Sequence, residues 1–266
     1  LKNETALITG ASSGIGYEIA KCLVKKGFNL VLTARDQSKL ENAAKTLSPY
    51  GNVTIDTVVA DLHDPLAPQV LYDYCHLNGL QISLLVNNAG YAIPSSFDQT
   101  PMEEEEKFIR VLALAVIALT KLFIRDMLAV GKGRIMMISS VAAFAPPSTI
   151  QTLYGPIKTF VNRFSEGINI SYNKRGISST AVCPGYTVTN FHTASGVQDE
   201  MDRVPSFMKK PASRVAYEAV SATLKGKKVI VPSKTFKLIV FLLKVVPHAL
   251  FPFFSKRLAP GRYDSR

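Results

Sequence analysis

The sequence predicts a doubly wound α/β fold, with a parallel sheet of about seven strands in a single domain. Three observations predict it. Short apolar runs alternate with segments of helical period, a Gly/Ser turn joins the first run to the first helix, and no internal repeat or Gly-, Ser- or Pro-rich linker interrupts the alternation. The 266 residues, 47% hydrophobic and 19% charged, suit one core and exclude a disordered or fibrous protein.

Taken in order, residues 5–9 (TALIT) read as a strand and 17–26 as a helix, with Ile19, Ala20, Leu23 and Val24 at helical spacing. Residues 29–34 repeat the strand signal, 37–47 the helical one and 53–60 a third strand. Further strands are expected at 82–87, 134–139 and 178–183 and a last one near 228–231, with helices at 66–78, 102–130 and 153–174. Glu103 to Glu106 follow Thr100-Pro101, where acids suit the positive end of a helix dipole; all four are expected to be solvated.

Three widely spaced cysteines, Cys22, Cys75 and Cys183, form no CxxC or His-rich pattern, so neither a disulfide framework nor a metal site is expected. A reducing, cytoplasmic setting follows, and the first residues run into a strand without the pattern of a secretory leader. The net charge of +11 is localised. Residues 1–204 hold 18 basic and 18 acidic side chains, whereas 205–266 hold 13 basic ones against Glu218 and Asp264. No recognition motif or aromatic platform accompanies this charge, so no nucleic-acid partner is expected.

The chemistry-bearing motifs begin with Thr9-Gly10-Ala11-Ser12-Ser13-Gly14-Ile15-Gly16. Glycines 10, 14 and 16 let the backbone turn tightly and approach a pyrophosphate at a helix N-terminus, in a GxxxGxG spacing. At the end of the second strand stands Ala34-Arg35-Asp36. Arg35 offers a charge to a 2′-phosphate and Ala34 no carboxylate to repel it, which favours NADP (NADPH); the alternative is a surface arginine with Asp36 on the ribose diol. Tyr154 and Lys158, four apart, share a helix face, and an ammonium beside a phenol favours the phenolate. Pro156 fits the first turn of that helix.

From residue 5 to about 231 the chain resembles the short-chain dehydrogenase/reductase family. The resemblance rests on TGASSGIG at 9–16, Asp61-Leu62, Asn87-Asn88-Ala89-Gly90, Ser140 with Tyr154 and Lys158, and Pro184-Gly185 followed by Thr187 and Thr189. It implies a Rossmann-type fold and a nicotinamide cofactor held by Gly10, Ser12, Ser13, Gly14, Ile15, Gly16, Arg35, Asp61, Leu62, Asn88, Ala89, Gly90, Tyr154, Lys158, Pro184, Gly185, Thr187 and Thr189. It further implies that Tyr154 passes a proton to or from the substrate oxygen, that Lys158 lowers the Tyr154 pKa and holds the nicotinamide ribose, and that Ser140 orients the substrate oxygen.

Three positions depart from the family pattern. Ser140 and Tyr154 are 14 apart rather than the usual 13, which implies a one-residue insertion within 144–152 and keeps Ser139 as a second candidate. Ile157 stands where a small residue often precedes the lysine, and Leu112 stands where an asparagine normally anchors a proton-relaying water chain. Leucine cannot hydrogen-bond. The resulting expectation is an NADP(H)-dependent oxidoreductase of a carbonyl/alcohol pair, of the lipophilic kind because Phe191, Val197, Met201, Phe207 and Met208 populate an expected lid at 190–211 and Ile93, Phe97, Phe144, Pro146 and Pro147 flank the cleft. The alternative is a catalytically weak NADP-binding sensor or scaffold. A homo-oligomer, dimer or tetramer, is expected.

The catalytic domain is expected to span 1–233 and a hydrophobic, basic extension 234–266. Residues 236–258 are apolar but interrupted by Lys237, Lys244, Pro247, His248 and Pro252, and so lack the ~20 uninterrupted apolar residues of a spanning helix. Leu238, Phe241, Leu242 and Val245 can share one helical face, suited either to packing on protein or to lying on an anionic membrane; packing is the favoured use.

Overall fold

Strand β1 (Thr5–Thr9) is buried along its whole length, and its side chains alternate between two cores, Leu7 into one and Ala6 and Ile8 into the other. The computed structural model describes residues 4–146, 152–189 and 204–245. β2 (Asn29–Ala34), β3 (Ile55–Val59), β4 (Ile82–Asn87), β5 (Gly133–Ile138), β6 (Ile177–Val182) and the short β9 (Val229–Ile230) complete a seven-stranded sheet in the order β3-β2-β1-β4-β5-β6-β9. Every pairing in it is parallel. The direction of strand order reverses between β1 and β4, the switch point beside which folds of this class form their binding crevice.

Helices cover both faces. On one, α1 (Gly14–Val24) and α2 (Gln37–Leu47) bury Ile19, Leu23, Leu40 and Leu47 against Ile8, Leu30 and Leu32. On the other, α3 (Ala67–Leu77), α5 (Ala115–Val130) and α6 (Tyr154–Tyr172) bury Leu71, Phe123 and Val161 against Leu7, Leu85 and Ile135. Asp36 starts α2 by accepting from the Lys39 amide at 3.0 Å, and Gly131, at φ +73°, ends α5 in the left-handed region.

The predicted helix at 102–130 is three segments. α4 (Met102–Ile109) passes through a π-helical turn, Arg110–Leu114, into α5. Glu103 and Glu104 both pair with Lys107, at 2.8 and 3.0 Å, as a solvated helix start should. Glu105 departs from that expectation: it is buried, and burial raises its pKa.

Two elements have no counterpart in the sequence reading. A two-stranded parallel ladder joins β7 (Thr187–Val188) to β8 (Lys210–Pro211), and α7 (Ala212–Leu224) packs Ala216, Ala219 and Val220 into the α1 side of the core. The small residues on α7 weaken its apolar signal in sequence while letting it approach α1 closely. The last helix among the described residues, α8 (Lys234–Val245), buries Phe236 and Val240 among Cys183, Met208 and Val231.

Candidate active site

The sequence-predicted site residues lie after the carboxyl ends of the strands. Gly10 follows β1, Arg35 β2, Asp61 and Leu62 β3, Asn88 to Gly90 β4, Ser140 β5, and Pro184 and Gly185 β6. The crevice at the switch point is shaped by backbone proximity. Gly10 has φ +64°, and a Cβ there would come within 2.9 Å of the Ala89 Cα; a Cβ on Gly16 would run into the Gly10 carbonyl. Asn88 locks the two loops together, its side-chain amide donating to the Thr9 and Gly10 carbonyls at 2.9 and 3.1 Å. The Thr9 hydroxyl receives the Asn88 and Ala89 amides at 2.9 and 3.0 Å.

A helix N-terminus opens onto this turn. Ser13 precedes α1 without capping it through its side chain, and no acid occupies the first turn, so the leading N–H groups suit an anion. Gly14 has φ +59°, and a Cβ placed on it would stand 3.4 Å from the Thr189 side chain. The loop after β6 therefore reaches the start of α1. Thr187 is buried and its hydroxyl donates to the Gly185 carbonyl at 3.0 Å. These residues fit a dinucleotide: glycines that let the loops and the start of α1 approach one another closely, and an uncapped helix start for its phosphates.

The second group lies beyond β5. Ser139 is buried and its hydroxyl donates to the Lys158 carbonyl at 3.0 Å, so it is occupied in tying β5 to α6. Ser140 is half-buried and begins a short 3-10 turn, Val141–Ala143, by accepting from the Ala142 amide at 3.1 Å. That turn is fastened to α6, since the Thr159 hydroxyl donates to the Ala143 carbonyl at 3.1 Å and a Cβ on Gly155 would touch the Ala142 carbonyl. Ser140 and Tyr154 thus belong to adjoining turns. Tyr154 opens α6, and the Lys158 ammonium lies 5.5 Å from the centre of its ring. Lys158 is buried, donates to the Ile138 carbonyl at 2.8 Å, and is pulled down to about 8 by desolvation. A buried ammonium beside a phenol is suited to stabilising the phenolate.

Comparison with known proteins agrees with this geometry. A family model described as short chain dehydrogenase matches residues 4–200. The chain belongs to the short-chain dehydrogenase/reductase family. A very-long-chain 3-oxoacyl-CoA reductase of Anas platyrhynchos is 35% identical over 196 residues, 71% of this chain and 62% of the relative. The chain spans about three fifths of the length of the curated relatives of that name. A Sphingobium yanoikuyae short-chain dehydrogenase solved in complex with NADPH is 28% identical, with a TM-score of 0.80 over 92% of this chain and 97% of that one. A bulky-bulky ketone specific alcohol dehydrogenase from Comamonas testosteroni is 27% identical, with a TM-score of 0.77 over 94% and 97%.

At the nucleotide end of this short-chain dehydrogenase/reductase, Asp36 is committed to α2: it accepts from the Lys39 amide, the Ser38 hydroxyl and the Lys39 ammonium, which hold its carboxyl down at about 2. Arg35 stays exposed beside it. Leu62 points into the core with Val58 and Leu71, leaving only its backbone for a ligand. Leu112 lies in the π-helical turn, fully buried, 3.7 Å from where a Gly90 Cβ would stand.

His63 and Tyr91 were missed in the sequence. The His63 ring lies 3.1 Å from the Asp61 carboxylate through Nδ1 and 3.3 Å from the Tyr91 hydroxyl through Nε2, so a proton on Nδ1 satisfies both contacts. Desolvation pushes Tyr91 up to about 12. Tyr91 meets Phe108 edge-on at 5.4 Å and Phe108 lies 6.5 Å from Tyr154, an aromatic file between the two ends of the cleft. The Asp61-x-His63 spacing and a tyrosine directly after Gly90 were the available signals. Of the expected lid, Phe191, Val197 and Met201 lie outside the described residues, as do Pro147 and part of the segment assigned the insertion. Within the described part, Met208 is buried and Phe207 exposed.

Proposed function

We propose that this protein is an NADP(H)-dependent reductase of lipophilic carbonyl compounds, with Tyr154 as proton donor, Ser140 orienting the carbonyl oxygen and Lys158 holding the positive charge that stabilises the Tyr154 phenolate. The observation that carries the reading is the seating of Tyr154 and buried Lys158 on one turn of α6, fastened to the Ser140 turn and set beside the glycine crevice. Gly10, Ser12, Ser13, Gly14, Ile15, Gly16, Asn88, Ala89, Gly90, Pro184, Gly185, Thr187 and Thr189 would hold the dinucleotide, and Arg35 and Asp61 its adenosine end. NADPH bound there supplies the hydride. The chain's own task is then proton transfer from the Tyr154 hydroxyl to the carbonyl oxygen, with charge developing on that oxygen met by the Ser140 hydroxyl.

The lipophilic substrate is supported by the apolar cluster at the catalytic end, where Val141, Phe144 and Tyr186 pack onto Met208 and Phe236. The names of the relatives, a 3-oxoacyl-CoA reductase and a bulky-ketone dehydrogenase, point the same way. Three free cysteines support a reducing, cytoplasmic setting, and the stacked, partly exposed Phe160 and Phe164 on α6 support a homo-oligomer. Leu112, with no hydrogen-bonding side chain in the π-helical turn, favours the second reading, a slow NADP-binding sensor. Direct titration with NADPH, alongside NADPH oxidation assays on bulky ketones and 3-oxoacyl thioesters of increasing chain length, separates the two. The reductase reading expects turnover that rises with acyl length; tight NADPH binding without turnover on any of them supports the sensor.

A further inference from the structure

Helix α8 is apolar on two opposite sides. Phe236 and Val240 face inward, while Leu238, Phe241, Leu242 and Val245, at i, i+3, i+4 and i+7, form an outward stripe with exposures of 60, 60, 46 and 58%. Packing over the core or across a subunit interface is the favoured use in the sequence; within this chain the face packed on the core is the opposite one, Phe236 and Val240. Lys234 lies at the start of the stripe, and Lys237 and Lys244, seven apart, run along its flank. The 12 residues described for α8 contain no acid. Among the described residues no helix is long and apolar enough to cross a membrane.

We propose that α8 docks the protein onto the surface of an anionic lipid bilayer, its Leu238/Phe241/Leu242/Val245 stripe entering the headgroup boundary and its lysines meeting the lipid phosphates. Charge selects this occupant. Residues 204–245 carry nine lysines and arginines against Glu218 alone, and Glu218 already pairs with Arg214 at 3.3 Å. Isologous pairing with a second copy would bring the lysine rows of two acid-free helices together, whereas an anionic surface complements them. The sequence beyond α8 continues the same composition, with Phe251, Phe253 and Phe254 next to Lys256 and Arg257. Lys244 also lies 5.0 Å from the centre of the Phe144 ring, and Phe236 packs onto Gly185. Docking through α8 therefore sets the catalytic end of the cleft close to the bilayer.

The proposal stands independently of the cofactor and substrate assignments. Its test is flotation of the full chain with vesicles of phosphatidylglycerol and phosphatidylcholine, compared with phosphatidylcholine alone. Two variants accompany it, Leu238→Gln/Phe241→Gln/Leu242→Gln and Lys234→Gln/Lys237→Gln, with circular dichroism and NADPH titration confirming their fold. Expected is binding to the anionic vesicles only, weakened by salt and reduced at least about tenfold in each variant. Absence of wild-type binding, or wild-type binding retained by both variants, overturns the proposal. So does a loss of oligomeric mass in the apolar variant without vesicles, which would make the stripe a protein interface.

Discussion

Arg35 is exposed and Asp36 beside it has its carboxylate engaged by three donors of its own helix start, so the residue free to read a 2′-phosphate is the arginine. Arg35→Ala is expected to lower the NADPH to NADH ratio of kcat/KM by roughly tenfold or more, the value of a charge-assisted contact; an unchanged ratio contradicts the assignment. Lys158 shows a cost of the site. Burial draws its pKa from 10.5 down to about 8, so the protonated side chain destabilises the fold by roughly 3 kcal/mol at neutral pH. The sign is fixed: the penalty is complete below pH 8 and fades as pH rises toward 10.5, where the unfolded lysine also loses its proton. Lys158→Met removes it, at the expense of the bond to the Ile138 carbonyl, worth about 1–2 kcal/mol. Thermal unfolding across that range should show the variant inactive yet more stable at pH 7 by about 1–2 kcal/mol, with the gain shrinking as pH rises.

At the scale of elements, the π-helical turn Arg110–Leu114 is the least ordinary piece of the fold. It inserts an extra residue between α4 and α5 where a family asparagine would stand, and presents Leu112 toward Gly90 instead. Leu112→Asn places an amide there. With proton resupply limiting, kcat is expected to stay equal or rise and the solvent isotope effect on kcat to diminish; an unaltered isotope effect contradicts a relay at this position. The turn was invisible in sequence because its residues, RVLAL, continue an ordinary apolar helical period. The strands were legible as short apolar runs, and Gln37–Leu47 matched its predicted range. Tyr154, Lys158 and the glycines were legible through fixed spacing. His63 and Tyr91 were not, because their contact joins loops after two different strands. Which face of α8 covers the core was not legible because both of its faces are apolar, and the contact of Phe236 with Gly185 decides it.

In the whole molecule, the parallel sheet gathers both chemical groups at the carboxyl ends of its strands. The reversal of strand order between β1 and β4 opens the crevice, and β5 and β6 carry the Ser140 turn and the Pro184-Gly185 loop up beside it. α6 joins the two, holding Lys158 against the Ile138 carbonyl at the end of β5 and Tyr154 one turn earlier. This arrangement makes hydride delivery and proton delivery separable, since the crevice that would hold NADPH rests on the glycines and Asn88, not on the Tyr154 hydroxyl. Tyr154→Phe keeps the ring and its packing near Phe108 and removes only that hydroxyl. The decisive measurement is single-turnover NADPH oxidation by this variant with a reactive diketone, beside NADPH titration of the same preparation. The account expects NADPH affinity within a few-fold of wild type and a rate lower by roughly 10²–10⁴-fold; a rate close to wild type would contradict it.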